Sequence, residues 1–225
     1  MSDHAGADAE AQVTLWMMDL DQLVAPGPVL QVPVDFLRVG PEAAQELAHA
    51  MGLDNPALVL QRFDNGRQCY IGKIEGALVS YGWVTFDEEE IGEVSLRIRL
   101  KAGEAYIWNC ATLQAHRGHH LYPALLAYIV GRLHQLGQHR VWIGTDNANL
   151  PSRHSTALAG FQPIVDVTAS RLSTTQRVWP RGCPAAPEPL VMDACYALFG
   201  EGKDAWLAPS SAGLLTLPGE SPEFL

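Results

Sequence analysis

Residues 116–123 read His116, Arg117, Gly118, His119, His120, Leu121, Tyr122 and Pro123. Before them lies a nearly continuous apolar run, 105–113, which is typical of a strand covered on both faces. After them, leucine, isoleucine and valine recur at helical spacing up to Leu136, and the first turn of a helix tolerates Pro123. The sequence therefore predicts a strand, a glycine-containing turn and a helix. The unpaired N–H groups of such a turn and the positive end of the helix suit an anion.

The size and composition of the chain indicate one domain with extensions. Its 225 residues are 48% apolar, which is enough to bury a substantial core. The sequence shows no internal repeat, no apolar run of membrane-spanning length and no signal-peptide pattern. We therefore expect a cytoplasmic protein that does not bind a membrane.

Charge and cysteine content restrict the partners. The formal net charge of −10 argues against a nucleic-acid partner, whose phosphates would be repelled, and an amine-bearing partner is easier to accommodate. The four cysteines have no CxxC spacing, so reduced thiols are expected.

Periodicity along the chain predicts a mixed α/β (α+β) fold with a mostly antiparallel central sheet flanked by helices. Between the strands and helices, residues 87–90 are predicted to form a charged loop. The predicted strands cover 13–20, 34–39, 69–74, 77–86, 94–101, 105–113, 140–145, 161–167 and 174–179. The predicted helices cover 41–50, 55–63, 121–136, 151–159 and 190–199.

Composition also suggests how the chain is divided. Residues 1–12 are small, polar and acidic, and are expected to be a flexible terminus. Residues 13–180 form the predicted domain, with its core at 69–179. Residues 181–225 are a proline-rich C-terminal extension rather than an independent domain, and they could cap their own domain or cross to a second subunit in a homodimer.

Two elements of the sequence resemble the GCN5-related N-acetyltransferase superfamily. Arg117 to Tyr122 is similar to its Q/R-x-x-G-x-G/A turn after the fourth strand. The run Asn149, Leu150, Pro151, Ser152, followed by a helix that ends at Gly160 and Phe161, is similar to its second element. The resemblance covers about residues 69–179.

The resemblance implies that acetyl-CoA, or another acyl-CoA, is the co-substrate and that no metal is needed. In this superfamily the amides of the turn hold the pyrophosphate, and the parted fourth and fifth strands bind the pantetheine arm. The positions implied here are Cys110, Thr112, Leu113, Arg117, Gly118, His119, His120, Leu121, Tyr122, Asn149 and Ser152.

Three residues depart from the pattern of the superfamily. His120 and Tyr122 stand where the turn usually has glycine or alanine, and Thr156 stands where a tyrosine often protonates the departing thiolate. A side chain in the turn would crowd the phosphate unless it pointed away, although a protonated His120 could itself donate to the phosphate. A modified but working pyrophosphate site is favoured over a domain that has lost acyl-CoA binding.

Acetyl transfer to an amine needs a general base and an acid for the thiolate. The first candidate for the base is Glu104, followed by Glu93 and His154. For the acid, Thr156 occupies the usual position, and Ser152, Ser155, Tyr122 or water could substitute.

Two other chemistries are disfavoured. The histidines of the turn, with Cys110, lack the spacing and the orienting carboxylate of a zinc site. Cys110 lies in a buried strand, where a thiol is more often a small hydrophobe than a nucleophile. Trp108 and Trp142 are expected to pack in the core.

The sequence thus predicts acetyl-CoA-dependent transfer to the amine of a small molecule, directly and in a ternary complex. The alternatives are a non-catalytic acyl-CoA-binding or protein-interaction module, and an O-acetyltransferase. The acceptor cleft is expected near the N-terminal helices and residues 87–90, where acidic side chains would favour a cationic acceptor.

Overall fold

The computed structural model describes residues 10–22, 30, 32–172, 175–200 and 215–216. The strands in this part of the chain are β1 (Glu10–Asp19), β2 (Asp35–Val39), β3 (Gln68–Ile74), β4 (Ala77–Thr85), β5 (Glu88–Ile91), β6 (Leu96–Arg99), β7 (Glu104–Thr112), β8 (Arg140–Asp146), β9 (Gln162–Leu172), β10 (Thr175–Gly182) and β11 (Leu215–Thr216). The α-helices are α1 (Ala44–Ala50), α2 (Ala57–Asp64), α3 (Leu121–Gln135), α4 (Leu150–Leu158) and α5 (Glu188–Phe199). Short 3-10 turns cover Pro41–Ala43 and Gln114–His116.

Nine of these strands form one sheet in the order β11-β10-β9-β1-β8-β7-β4-β3-β2. Among the described strands, β7 and β8 are the only parallel neighbours. This confirms the predicted mixed, mostly antiparallel sheet. Strands β5 and β6 form a separate hairpin.

The N-terminal strand lies in the middle of the sheet. Strand β1 pairs antiparallel with β8 on one side and with β9 on the other, so that Val13 is opposite both Asp146 and Val167. The sequence predicted a strand at 13–20 but made no prediction of its place in the sheet. Residues 10–12, expected in the flexible terminus, are instead the start of β1.

The two faces of the sheet bury different elements. Helix α3 packs on one face, against residues such as Ile107 and Ile143. The opposite face packs against α5 and the β5–β6 hairpin near Tyr106 and Trp142. Helices α1 and α2 cover that same face over β3 and β4. Side chains alternate between the two faces along each strand, so only those of β3 and β4 that point to this face pack against these helices. The predicted core position of Trp142 is thus confirmed.

One predicted loop is wrong. Residues 88–91 form β5, which pairs antiparallel with β6. Two of its acidic side chains form ion pairs, Glu88 with Arg97 at 2.6 Å and Glu89 with Arg67 at 3.1 Å. Opposite charges on neighbouring strands stabilise a pairing that the local run of carboxylates would otherwise disfavour.

The ends of α4 follow the sequence closely. The Asn149 side chain accepts a hydrogen bond from the Ser152 amide at 3.1 Å and so caps the N-terminus. Gly160 has a φ of +95° just beyond the helix, as predicted for a left-handed cap.

The C-terminal extension contributes to the core in its described part. Helix α5 buries Val191, Ala194, Cys195 and Leu198 against the sheet. Residues 1–9, 23–29, 31, 173–174, 201–214 and 217–225 lie outside the described residues, and so do the predictions made for them. No helix in the described ranges combines the length and apolarity needed to cross a membrane.

Candidate active site

Strands β7 and β8 part halfway along their length. They pair in parallel from Glu104 with Arg140 to Ile107 with Ile143, and no pairing continues beyond Ile107. Strand β7 nevertheless runs on to Thr112, held on its other edge by β4. An opening between two sheet strands therefore begins at Trp108.

An irregularity in β7 marks the same point. The register against β4 shifts so that Trp108 is opposite Trp83 while Ala111 is opposite Tyr81. Asn109 takes up the extra length with a φ of 44° in the left-handed region. Bulges of this kind bend a strand and re-aim its side chains, often next to active sites.

The turn after β7 presents unpaired amides. Gly118 has a φ of +83° and His120 a φ of +56°, and α3 begins directly afterwards at Leu121. Within the described residues, none of the five backbone N–H groups from Gly118 to Tyr122 donates a hydrogen bond, and the His120 side chain does not cap the helix. Together with the positive end of α3, these amides form a site suited to an anion.

A groove of about 540 Å³ connects the turn with the opening between the strands. Its walls come from the end of β7, the turn, the first residues of α3, and α4. The lining residues are Cys110, Ala111, Thr112, His116, Arg117, Gly118, His120, Leu121, Tyr122, Pro123, Asn149, Pro151, Ser152, His154, Ser155 and Leu158.

Three hydroxyl groups lie close together in this region. Burial raises the pKa of Tyr122, and the neighbouring hydroxyls of Ser152 and Thr156 oppose that effect only weakly. Thr156 is fully buried, and its Oγ1 lacks a hydrogen-bond partner of normal geometry in the described part of the chain. The Tyr122 phenol thus lies close to Thr156, the position at which the superfamily pattern predicts the acid.

Cys110 lies on the α3 side of the bulge. Its Sγ is 3.4 Å from the Trp108 carbonyl oxygen, and a Cβ atom on Gly82 would come within 2.8 Å of it. Burial raises the pKa of Cys110 to about 12, so the thiol is protonated at neutral pH. Cys110 therefore fits the role of a small packing residue better than that of a nucleophile.

Glu104 lies at the other end of β7. It is only 3% exposed, and its carboxylate bonds to Arg140 Nη1 at 3.1 Å and to the Lys101 amide at 3.1 Å. Arg140 also bonds to Asp193 of α5 at 2.8 Å. The network joins the paired end of β7 to the C-terminal helix, and Glu104 does not line the groove.

The Acetyltransferase (GNAT) family model matches residues 38–161, which is more than half of the chain. The chain belongs to this family. No curated protein matches the chain.

Solved structures of GNAT proteins share the fold at low sequence identity. A protein assigned to the GNAT family from Novosphingobium aromaticivorans has a TM-score of 0.50 and 18% identity over 72% of this chain and 64% of its own. A GCN5-related N-acetyltransferase from Sphaerobacter thermophilus has a TM-score of 0.50 and 15% identity over 69% of this chain and 49% of its own. The chain thus matches less than two thirds of the length of either structure.

The structure gathers most of the predicted GNAT cofactor residues into the groove. Those that line it are Cys110, Thr112, Arg117, Gly118, His120, Leu121, Tyr122, Asn149 and Ser152. Leu113 instead packs beside the cluster under α1 and α2. His119 is exposed, with its ring 3.3 Å from the His116 carbonyl oxygen.

The candidate catalytic residues are divided. Ser152, His154 and Ser155 line the groove, whereas Glu104, Glu93 and Thr156 do not. Glu93 lies exposed in the turn between β5 and β6. Sequence reasoning also missed His116, Pro123, Pro151 and Leu158 as lining residues, since only their place beside the recognised motifs indicates that role.

No metal centre is found among the described residues, in which no group of three or more histidine, cysteine, aspartate or glutamate side chains is placed to hold an ion. The four cysteines are free thiols, three of them buried.

Proposed function

We propose that the chain transfers an acetyl group from acetyl-CoA to the amine of a small molecule, directly and in a ternary complex. The observation that carries the proposal is the set of five unpaired amides from Gly118 to Tyr122 at one end of the groove. These amides and the N-terminus of α3 would hold the pyrophosphate. Thr112 and Asn149, which also line the groove, would contact the pantetheine arm.

The thioester supplies an activated acyl carbon, to which the amine nitrogen bonds as the C–S bond breaks, and the nitrogen releases one proton to solvent. The chain's own contribution is a proton donor where the thiolate leaves. Because burial keeps the Tyr122 phenol protonated, Tyr122 can donate a hydrogen bond and then its proton, which solvent replaces. A protonated Cys110 supports direct transfer rather than an acetylated cysteine intermediate.

The decisive experiment places a carboxylate among the amides. Gly118→Asp should weaken acetyl-CoA binding about 100-fold or more, because like charges brought together cost several kcal/mol. Isothermal titration calorimetry measures the change in Kd. Absence of binding by the unmodified chain at near-millimolar acetyl-CoA would overturn the proposal.

Gly137 provides a matched control at the opposite end of α3. Both glycines have left-handed φ, +83° for Gly118 and +80° for Gly137, with open space around each. Aspartate at either site should therefore cost a similar amount of stability, about 1 kcal/mol. Gly137→Asp should leave the Kd within about twofold, since the sites are independent.

Turnover separates the alternatives. Thiol release from acetyl-CoA with a library of amines supports the enzyme, and acetyl-CoA binding without thiol release identifies a non-catalytic module. An ester in place of an amide among the products would assign O-acetyl transfer.

A further inference from the structure

Arg62 is a half-buried cation beside the opening between β7 and β8. It lies in the last turn of α2, on the face of the sheet opposite α3. Its guanidinium carbon is 4.5 Å from the centre of the Trp108 ring and 5.0 Å from that of Trp83. Its Nη1 donates to the Asn109 side chain at 3.2 Å. Arg62 therefore contacts the first two residues of β7 beyond its pairing with β8.

The hydrogen-bonding capacity of Arg62 is largely unused. In the described part of the chain, Nη1 donates to Asn109 and weakly to the Met51 sulfur, whereas Nε and Nη2 donate to no acceptor. No carboxylate in those ranges lies within ion-pair distance of it. The negative charge of Glu89 acts on Arg62 from a distance and opposes the effect of burial on its pKa, but Glu89 is itself bound to Arg67 at 3.1 Å.

The surroundings of Arg62 are poor in acceptors. The indole N–H groups of Trp83 and Trp108 are both buried, and neither has a hydrogen-bond partner among the described residues. Burial lowers the pKa of Arg62, because the charged form has lost part of its hydration. The two indole faces offset part of this lost hydration, and an anion brought by a ligand would offset more of it.

We propose that Arg62 binds a carboxylate of the acceptor, so that the substrate is a small amine that also carries a carboxyl group. The inference rests on the proposed acetyl transfer. The Arg62–Asn109 contact is exposed, so a ligand can reach the free edge of the guanidinium. A planar guanidinium fork suits a carboxylate in particular, because two parallel hydrogen bonds can form. The acceptor would then carry a negative charge in addition to the amine that the sequence predicts.

Matched pairs of acceptors test the site. Each pair consists of an α-, β- or γ-amino acid and its primary amide, which keeps the amine and removes the negative charge. The unmodified chain should favour the carboxylate member of at least one pair by about 10-fold or more in kcat/KM. Arg62→Gln should lower kcat/KM for that member by about 10- to 100-fold and for its amide by less than about threefold. Acetyl-CoA affinity should not change.

Two further variants separate binding from structure. Arg62→Lys keeps the charge without the fork, so it should restore only part of the preference. Arg132→Gln is the matched control, because Arg132 is exposed on α3 and its side chain hydrogen-bonds only to Gln135 among the described residues. An equal loss for both members of every pair, or no preference in the unmodified chain, would overturn the proposal.

Ligand-observed NMR with the same pairs, in the presence of CoA, distinguishes the two proposals. Carboxylate-selective binding that disappears in Arg62→Gln supports the subsite even if no acetyl group is transferred, a result that would overturn only the proposed function. Equal binding of both members would overturn the subsite, whether or not turnover occurs.

Discussion

Strand β7 has two halves that differ in what pairs with them. From Glu104 to Ile107 the strand is paired with β8, and at Tyr106 and Ile107 it is paired with β4 as well. The one charged side chain of this half, Glu104, is bound by Arg140. From Trp108 to Thr112 it is paired on one edge only, carries the bulge at Asn109, and lines the groove with Cys110, Ala111 and Thr112. The first half has its polar groups satisfied, whereas the second exposes backbone to a ligand.

This difference separates stability from function along a single strand. Where hydrogen bonds and ion pairs are complete, a substitution should change the free energy of unfolding and leave ligand binding alone. Where backbone groups are left open, a substitution should change binding or turnover more than stability.

The largest effect on stability is expected at the paired end. Glu104→Ala leaves the Lys101 amide without its acceptor and removes one of the two carboxylates that bind Arg140. Leaving the amide donor unsatisfied costs about 1–3 kcal/mol, and Arg140 keeps its ion pair with Asp193. Chemical denaturation measures the loss, and the Kd for acetyl-CoA should stay within about twofold because the sites are separate.

The open end of the strand offers the contrasting variant. Thr112 Oγ1 is buried and, within the described residues, has no hydrogen-bond partner. Thr112→Val removes that hydroxyl while keeping the shape of the side chain, so the free energy of unfolding should change by less than about 0.5 kcal/mol. Equal losses in Glu104→Ala and Thr112→Val would contradict the distinction between the two halves.

A smaller effect, on rate alone, is expected at Tyr122. Tyr122→Phe should lower kcat about 100-fold, near the low end for general acids, because the raised pKa makes the phenol a weak acid. The raised pKa also means that Tyr122 stays protonated as the pH rises, so it should cause no loss of rate between neutral pH and about pH 10. Steady-state kinetics across this pH range measure both expectations.

Tyr128 is the control for Tyr122, since it lies on the same helix and packs against Phe36 and Tyr70. Tyr128→Phe should leave kcat within about twofold. If Ser152→Ala lowered kcat more than Tyr122→Phe, the role of proton donor would belong to Ser152.

The sequence was sufficient for features that depend on local pattern. The apolar run of β7 and the helical spacing of α3 predicted both elements to within two residues, because periodicity reports burial directly. The cap at Gly160 followed from the left-handed conformation that glycine favours.

Features that depend on residues far apart in the chain could not be predicted from the sequence. Glu104 looked like a free carboxylate because Asp193 and Arg140, which complete its network, are far away in the sequence. Nothing in the composition of α2 indicates that Arg62 meets Trp83 and Trp108. The acidic run at 88–90 reads as a loop until its arginine partners are known.

The smallest effect is expected at His120, which lines the open groove in a backbone conformation that glycine adopts more readily. Its φ is +56°, whereas the adjacent His119 has no such constraint. His120→Gly should relieve about 1 kcal/mol of backbone strain, partly offset by the greater freedom of glycine in the unfolded chain. In His119→Gly the unfolded chain gains the same freedom without any relief of strain, so the folded protein should be less stable. The melting temperature of His120→Gly should therefore be higher than that of His119→Gly. The reverse order would mean that the His120 side chain itself stabilises the turn.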